Sequence, residues 1–166
     1  ISLWLEFRRV LFRSMGKICI GSDHGGYELK NKIINLLNNF GYEVKDLGSK
    51  EYLPDDDYPD TTKNVAEAIS QGIYDKGIVL CGSGVGASVV ANKFINVRAA
   101  ICHDTYSAAQ GVEHDDMNVL CLGGRIIGEE LANKIVEAFV NAEYKPEKRF
   151  QRRKEKLQQI EKNNFS

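Results

Sequence analysis

Apolar residues recur along this chain in two rhythms. Short runs of strand length, most of them apolar, stand at Lys17–Gly21, Lys76–Leu80, Val97–Cys102 and Val119–Leu122, with a more polar one at Glu43–Leu47. Between them, apolar residues return every three or four positions. Leu29, Ile33, Leu36 and Leu37 mark one face of a helix over Tyr27–Phe40, closed by Gly41. The same reading predicts a helix capped by Asp60 and running to Gly72, and short helices over Val85–Ala91 and Thr105–Gly111. A strongly patterned helix follows over Gly128–Ala142, then a highly charged one over Pro146–Lys162. Gly48–Pro59 reads as an acid-rich loop holding two prolines.

Strand and helix in alternation predict an α/β fold: a doubly wound, five-stranded parallel sheet with helices on both faces, Rossmann-like, plus the charged C-terminal helix. Such sheets bind ligands at the carboxyl ends of their strands. That edge is expected to collect Ser22, Asp23, His24, Gly25 and Gly26 after strand one, and Cys81 with its glycines after strand three. His103 and Asp104 follow strand four, and Gly123, Gly124 and Arg125 follow strand five. The three histidines, His24, His103 and His114, are expected on this edge or in the loops around it.

The sharpest local feature is Cys81-Gly82-Ser83-Gly84-Val85-Gly86, entered from the apolar run Gly77–Leu80. A buried strand ends on a thiol, and the thiol opens a glycine-rich turn. Glycines let backbone N–H groups face an anion, and the next helix's N-terminus adds positive potential that favours a thiolate. The other cysteines, Cys19, Cys102 and Cys121, sit inside apolar runs and read as small buried hydrophobes. Without a CxxC pair or zinc spacing, a reduced, cytoplasmic compartment is expected.

Composition narrows the partners. A net charge of −1 over 166 residues predicts neither a nucleic-acid nor a membrane partner. No stretch is long and apolar enough to span a bilayer. The positive charges at Lys145, Lys148, Arg149, Arg152, Arg153, Lys154 and Lys156 suggest a small anionic ligand or a solvated helix face. Residues 1–14 are expected to be a non-native leader, because Met15 stands directly before the first strand; 15–163 then form one domain.

Four chemistries compete for the glycine turn. A nucleoside-triphosphate loop needs Lys-Ser/Thr after its last glycine, where Ala87-Ser88 stand. A thiol phosphatase needs arginine at the position of Ala87. Dinucleotide binding is matched in part by Gly82-x-Gly84-x-x-Ala87, with Asp104 about 20 residues on, although that fingerprint normally follows the first strand. The fourth is proton transfer on a sugar phosphate. It asks for a base, an anion hole for an enediolate, an acid to open the sugar ring, and cations for the phosphate. It calls for neither metal nor cofactor.

Ile20-Gly21-Ser22-Asp23-His24-Gly25-Gly26, Cys81 to Gly86, Ala91-Asn92-Lys93, Asn118-Val119-Leu120 and Gly123-Gly124-Arg125 together resemble the type B ribose-5-phosphate isomerase family, whose sister group comprises the galactose-6-phosphate isomerase subunits. The resemblance runs from Met15 to about Lys162. It implies an aldose–ketose isomerase that interconverts D-ribose 5-phosphate and D-ribulose 5-phosphate through a cis-enediolate, with allose 6-phosphate or galactose 6-phosphate as competing substrates. It implies Cys81 as base, His114 as ring opener and Gly82, Ser83, Gly84, Val85 and Gly86 as enediolate cradle. Asp23 and His24 become sugar and phosphate contacts, and Arg125, Arg149 and Arg153 phosphate contacts.

Several of these positions have a plainer reading. Ser83 suits a simple turn, Asp23 suits a cap for the first helix, and His103 rivals His114 for ring opening. Lys154 and Arg152 are expected to be solvated. Asp115 stands where the family usually has Asn, and a carboxylate only accepts hydrogen bonds where an amide also donates. Phe150 replaces a common His. The charged last helix suggests docking on a second copy, and the family's dimers and tetramers imply sites shared across an interface.

Overall fold

A computed structural model describes residues 15–165; the expected leader, residues 1–14, lies outside them. Five strands, β1 (Lys17–Ser22), β2 (Glu43–Asp46), β3 (Lys76–Cys81), β4 (Ala99–Ile101) and β5 (Val119–Gly123), form one sheet in the order β2-β1-β3-β5-β4. Every pairing is parallel. Among the described residues there are six helices, α1 (Tyr27–Asn39), α2 (Tyr58–Ser70), α3 (Val85–Ala91), α4 (Thr105–Asp115), α5 (Glu129–Asn141) and α6 (Lys148–Asn164).

The three central strands, β1, β3 and β5, are apolar on both faces because both faces are covered, whereas the edge strand β2 is Glu-Val-Lys-Asp and half exposed. Ile18, Ile20, Ile78, Leu80, Leu120 and Leu122 point to one side and pack against α1, α4 and α5. Cys19, Val79, Cys81, Val119 and Cys121 point to the other and meet α2 and α3. Complete burial of a side chain such as Ile78 or Leu120 contributes roughly 1.5–3 kcal/mol, so the three central strands form a rigid floor for the loops at their ends.

Several boundaries depart from the sequence reading. The cap position of α2 is Asp57 rather than Asp60, because Pro59 occupies the first turn, where its missing N–H costs nothing. β4 keeps only three residues. The Asn118 side chain takes the Arg98 N–H at 2.8 Å, so the ladder starts at Ala99.

The departure of most consequence is in α4. It continues through Gly111 to Asp115 and stops at Asp116, whose φ of 53° is left-handed. Met117 packs on the bare Cα of Gly111, where a Cβ would stand 3.1 Å from its sulfur, so this glycine stays inside the helix. Eleven residues at about 1.5 Å each carry the chain some 15 Å back along the sheet. His114 therefore lies toward the amino edge, away from the strand ends where it was expected.

α6 rests on its own domain despite its charge. Phe150 is buried, Lys154 pairs with Asp116 at 2.5 Å, and Glu161 accepts the Asn96 N–H at 2.7 Å. Lys154, expected in solvent, also lies over the Tyr144 ring. Leu157 and Ile160 remain exposed on this helix.

Candidate active site

The loops after β1, β3 and β5 meet backbone to backbone at the carboxyl edge. A Cβ on Gly25 would sit 2.7 Å from the Gly82 nitrogen, so only glycine permits the contact. Gly84 adopts a φ of 81° and turns the chain sharply into α3. Between the loops lies a cavity of about 350 Å3, lined by Asp23, Tyr58, Cys81, Gly82, Ser83, Gly86, Arg125 and Ile126.

Cys81 is set apart from the other cysteines by its partner. The turn brings the Gly84 N–H to 3.1 Å from Sγ, as a donor to sulfur. The bond fixes the direction of the sulfur at the mouth of the glycine turn. The other three are enclosed by the core, and burial pushes the Cys19 thiol up to about 12 and the Cys102 thiol up to about 11. Burial raises Cys121 further. All four are free and buried, as the apolar runs around Cys19, Cys102 and Cys121 predicted for those three.

Asp23 is buried and shapes its loop. Its Oδ1 accepts the Gly25 N–H at 2.9 Å, and burial is the main influence raising its carboxyl above the usual range. It does not cap α1, whose N-cap Gly26 carries no side-chain bond. His24 is gripped by Asp56, whose Oδ1 lies 2.8 Å from Nδ1 and accepts the His24 backbone N–H at 2.9 Å. His24 and Arg125 also line a second cavity of about 740 Å3, with Lys32 and Tyr52. Arg125 thus bridges the two cavities, its guanidinium over Gly82.

Not every member of the glycine turn faces the cavity. The Gly84 N–H is engaged with the thiol, and the Val85 N–H donates to Ser83 Oγ at 3.2 Å. Neither Gly84 nor Val85 lines the space. His103 lies below the edge, where its Nε2 accepts the Gly123 N–H at 3.0 Å. Its proton is therefore on Nδ1, and burial holds its pKa below the ordinary value. Asp104, the expected ribose contact of a dinucleotide site, caps α4 by accepting the Ser107 N–H at 2.6 Å.

The remaining predicted residues gather elsewhere. His114 stacks on Phe150 with ring centroids 3.9 Å apart and 17° between planes, and its Nδ1 faces the Gln110 amide nitrogen at 2.9 Å. Arg149 lies against the other contact of that ring, 5.2 Å from the Phe150 centroid. Arg149, Arg153 and Asp115 are exposed. None of these residues lines the Cys81 cavity.

Residues 18–157 match the Ribose/Galactose Isomerase family. The chain belongs to that family. It is 44% identical to ribose-5-phosphate isomerase B of Escherichia coli K12 over 89% of this chain and 97% of the relative. It is 42% identical to D-erythrulose-4-phosphate isomerase of Pectobacterium atrosepticum, over 78% of this chain and 86% of that one. The crystal structure of ribose-5-phosphate isomerase B from Mycoplasma genitalium with bound ribulose-5-phosphate superposes with a TM-score of 0.84 at 39% identity, covering 88% and 96%.

Within the family fold, the sequence reading missed three contributors. Asp56 hides in an acid-rich loop with no periodic signal, and Tyr58 looks like an ordinary first-turn aromatic. Gln110 is marked only by its i, i+4 spacing to His114. Asp23, His24 and Asp56 bring donor atoms within 4.8 Å of one another, the one such metal-capable trio among the described residues. Asp56 already serves His24 there. No described helix is long and apolar enough to cross a membrane.

Proposed function

We propose that this chain interconverts D-ribose 5-phosphate and D-ribulose 5-phosphate through a cis-enediolate. The observation that carries the reading is the Gly84 N–H donated to Cys81 Sγ at the wall of the cavity between the strand-end loops. It supports a sulfur held at the strand end by a backbone donor, a contact that none of the core cysteines receives from another residue's backbone N–H among the described bonds.

Cys81 takes the proton from carbon two of the open aldose and returns it to carbon one. Charge moves onto the carbonyl oxygen as the proton leaves, and N–H groups of Gly82, Ser83 and Gly86 stabilise it. Asp23 binds a sugar hydroxyl. His24 and Arg125 take the phosphate at the larger cavity, where positive groups converge.

Ring opening needs a donor at the ring oxygen. His114 suits it: the Gln110 amide donates to Nδ1, leaving the ring proton on Nε2, and Phe150 braces the ring. His103 suits it less, because its Nε2 is an acceptor tied to the Gly123 backbone. His114, Arg149 and Arg153 stand together away from the Cys81 cavity, so we assign them to the site of a second copy. Two chains then complete two sites.

The test is a side-by-side rate comparison on ribose 5-phosphate, allose 6-phosphate, galactose 6-phosphate and erythrulose 4-phosphate. The reading expects kcat/KM to be largest for ribose 5-phosphate. A larger value for any other sugar transfers the same mechanism to that substrate.

A further inference from the structure

Asp56 has a bonding pattern that no role described above uses. It sits in the loop between β2 and α2, mostly buried, with its side chain 14% exposed. One oxygen, Oδ1, meets both the ring Nδ1 and the backbone N–H of His24. The backbone amide can only donate, so this oxygen is an acceptor. A carboxylate acceptor then requires the proton of the imidazole to be on Nδ1. The opposite ring nitrogen, Nε2, is left to the cavity shared with Arg125.

The loop that presents Asp56 is itself anchored. Lys30, completely buried, donates to Asp46 at 2.8 Å and to the Ser49 carbonyl at 2.6 Å. Tyr27 donates its hydroxyl to the Lys50 carbonyl at 2.9 Å. Two residues past Asp56, Tyr58 lines the Cys81 cavity with its ring against Gly86. The hold on His24 is thus built into the chain rather than offered by a free surface side chain.

We infer that Asp56 is a positioning residue: it grips His24 by Nδ1 and its backbone N–H, and presents Nε2–H as a charged donor to the substrate phosphate. The inference rests on the reading of His24 as a phosphate contact. The charged groups around His24 bear it out in sign. Asp56, foremost, and Asp23 raise its pKa, and Arg125 opposes them. Glu28 and Lys32 of α1 line the same cavity with opposite charges. For a histidine whose pKa is raised, the cationic form is present below that pKa and is lost as pH rises through it. Removing the carboxylate brings that loss to lower pH.

The experiment combines an NMR titration of the His24 ring in the whole protein with KM for ribose 5-phosphate at pH 8 and pH 5.5. Asp56→Asn keeps an acceptor and removes the charge. It should lower the His24 midpoint and raise KM about fivefold at pH 8, since a charge-assisted bond is roughly twice as strong as a neutral one. kcat should stay within about twofold, and the KM difference should shrink at pH 5.5, where both histidines are cationic. Asp56→Glu should recover most of the loss. On a His24→Asn background, Asp56→Asn should change nothing further.

An unchanged His24 midpoint in Asp56→Asn overturns the proposal. So does a KM effect equal at both pH values, or one that persists without His24. If His24→Asn itself leaves KM unaltered, the phosphate reading of His24 falls and the role of Asp56 falls with it. A large His24→Asn effect beside a silent Asp56→Asn removes Asp56 alone.

Discussion

At the carboxyl edge of the sheet, backbone does the positioning. The Cys81 thiol is set by a strand end, a left-handed glycine and the Gly84 N–H. At the contact of α4 with α6, side chains do it instead: His114 is stacked on Phe150 and oriented by Gln110, with Arg149 over the Phe150 ring. The first region lines a cavity, and in the second Arg149 and Arg153 stand exposed beside a half-buried His114. One region looks like a place to receive a reacting carbon, the other like a set of groups to be delivered. A single chain holds both halves of the proposed chemistry and keeps them apart.

The largest expected contrast is among the cysteines. Cys81→Ala should fold and lose about a thousandfold in kcat, the scale of a lost general base. Cys121→Ala, on the same face of the core, should cost stability and leave kcat within a few-fold. Stopped assays on both variants beside their thermal melts would check this. Equal losses of kcat would erase the distinction drawn from the Gly84 bond.

The delivered half makes a smaller prediction. Arg149→Ala should raise KM about tenfold, the loss of one charged contact to phosphate, whereas Arg152→Ala should leave KM near the original value. Michaelis constants for the two variants suffice. Indistinguishable values would mean that the exposed face of α6 is only solvated charge.

The smallest effect belongs to His103. Its pKa is lowered by burial, so between that value and the ordinary one, near 6.5, the unfolded chain binds the extra proton. Stability should therefore fall slightly as pH drops below about 6.5. His103→Asn should flatten that dependence and scarcely change ring-opening rates. A ring-opening defect in His103→Asn greater than in His114→Asn would exchange their roles.

The edge built by strands was largely legible in the sequence. Apolar runs bounded by glycine located Cys81, Asp23 and Arg125, because strand ends are local features. The amino-edge placement of His114 was not legible. Gly111 looks like a helix stop, and only the packing of Met117 on its Cα shows why the helix continues. The grip of Asp56 on His24 was equally hidden, since it joins residues 32 positions apart through a loop without periodicity. Phe150 stood in the sequence only as a replacement for a common His, and tertiary stacking sets it against the His114 ring.

The account turns on the two halves meeting across copies. Mixing Cys81→Ala with His114→Asn, each inactive alone, tests this most directly. If the halves combine between chains in a two-fold dimer, each mixed dimer has one site with Cys81 and His114 both intact. Unfolding and refolding the mixture together should then restore about a quarter of the original activity per chain. No recovery from a mixture shown to contain mixed dimers would contradict the account and return His114 to the site of its own chain, or to no site.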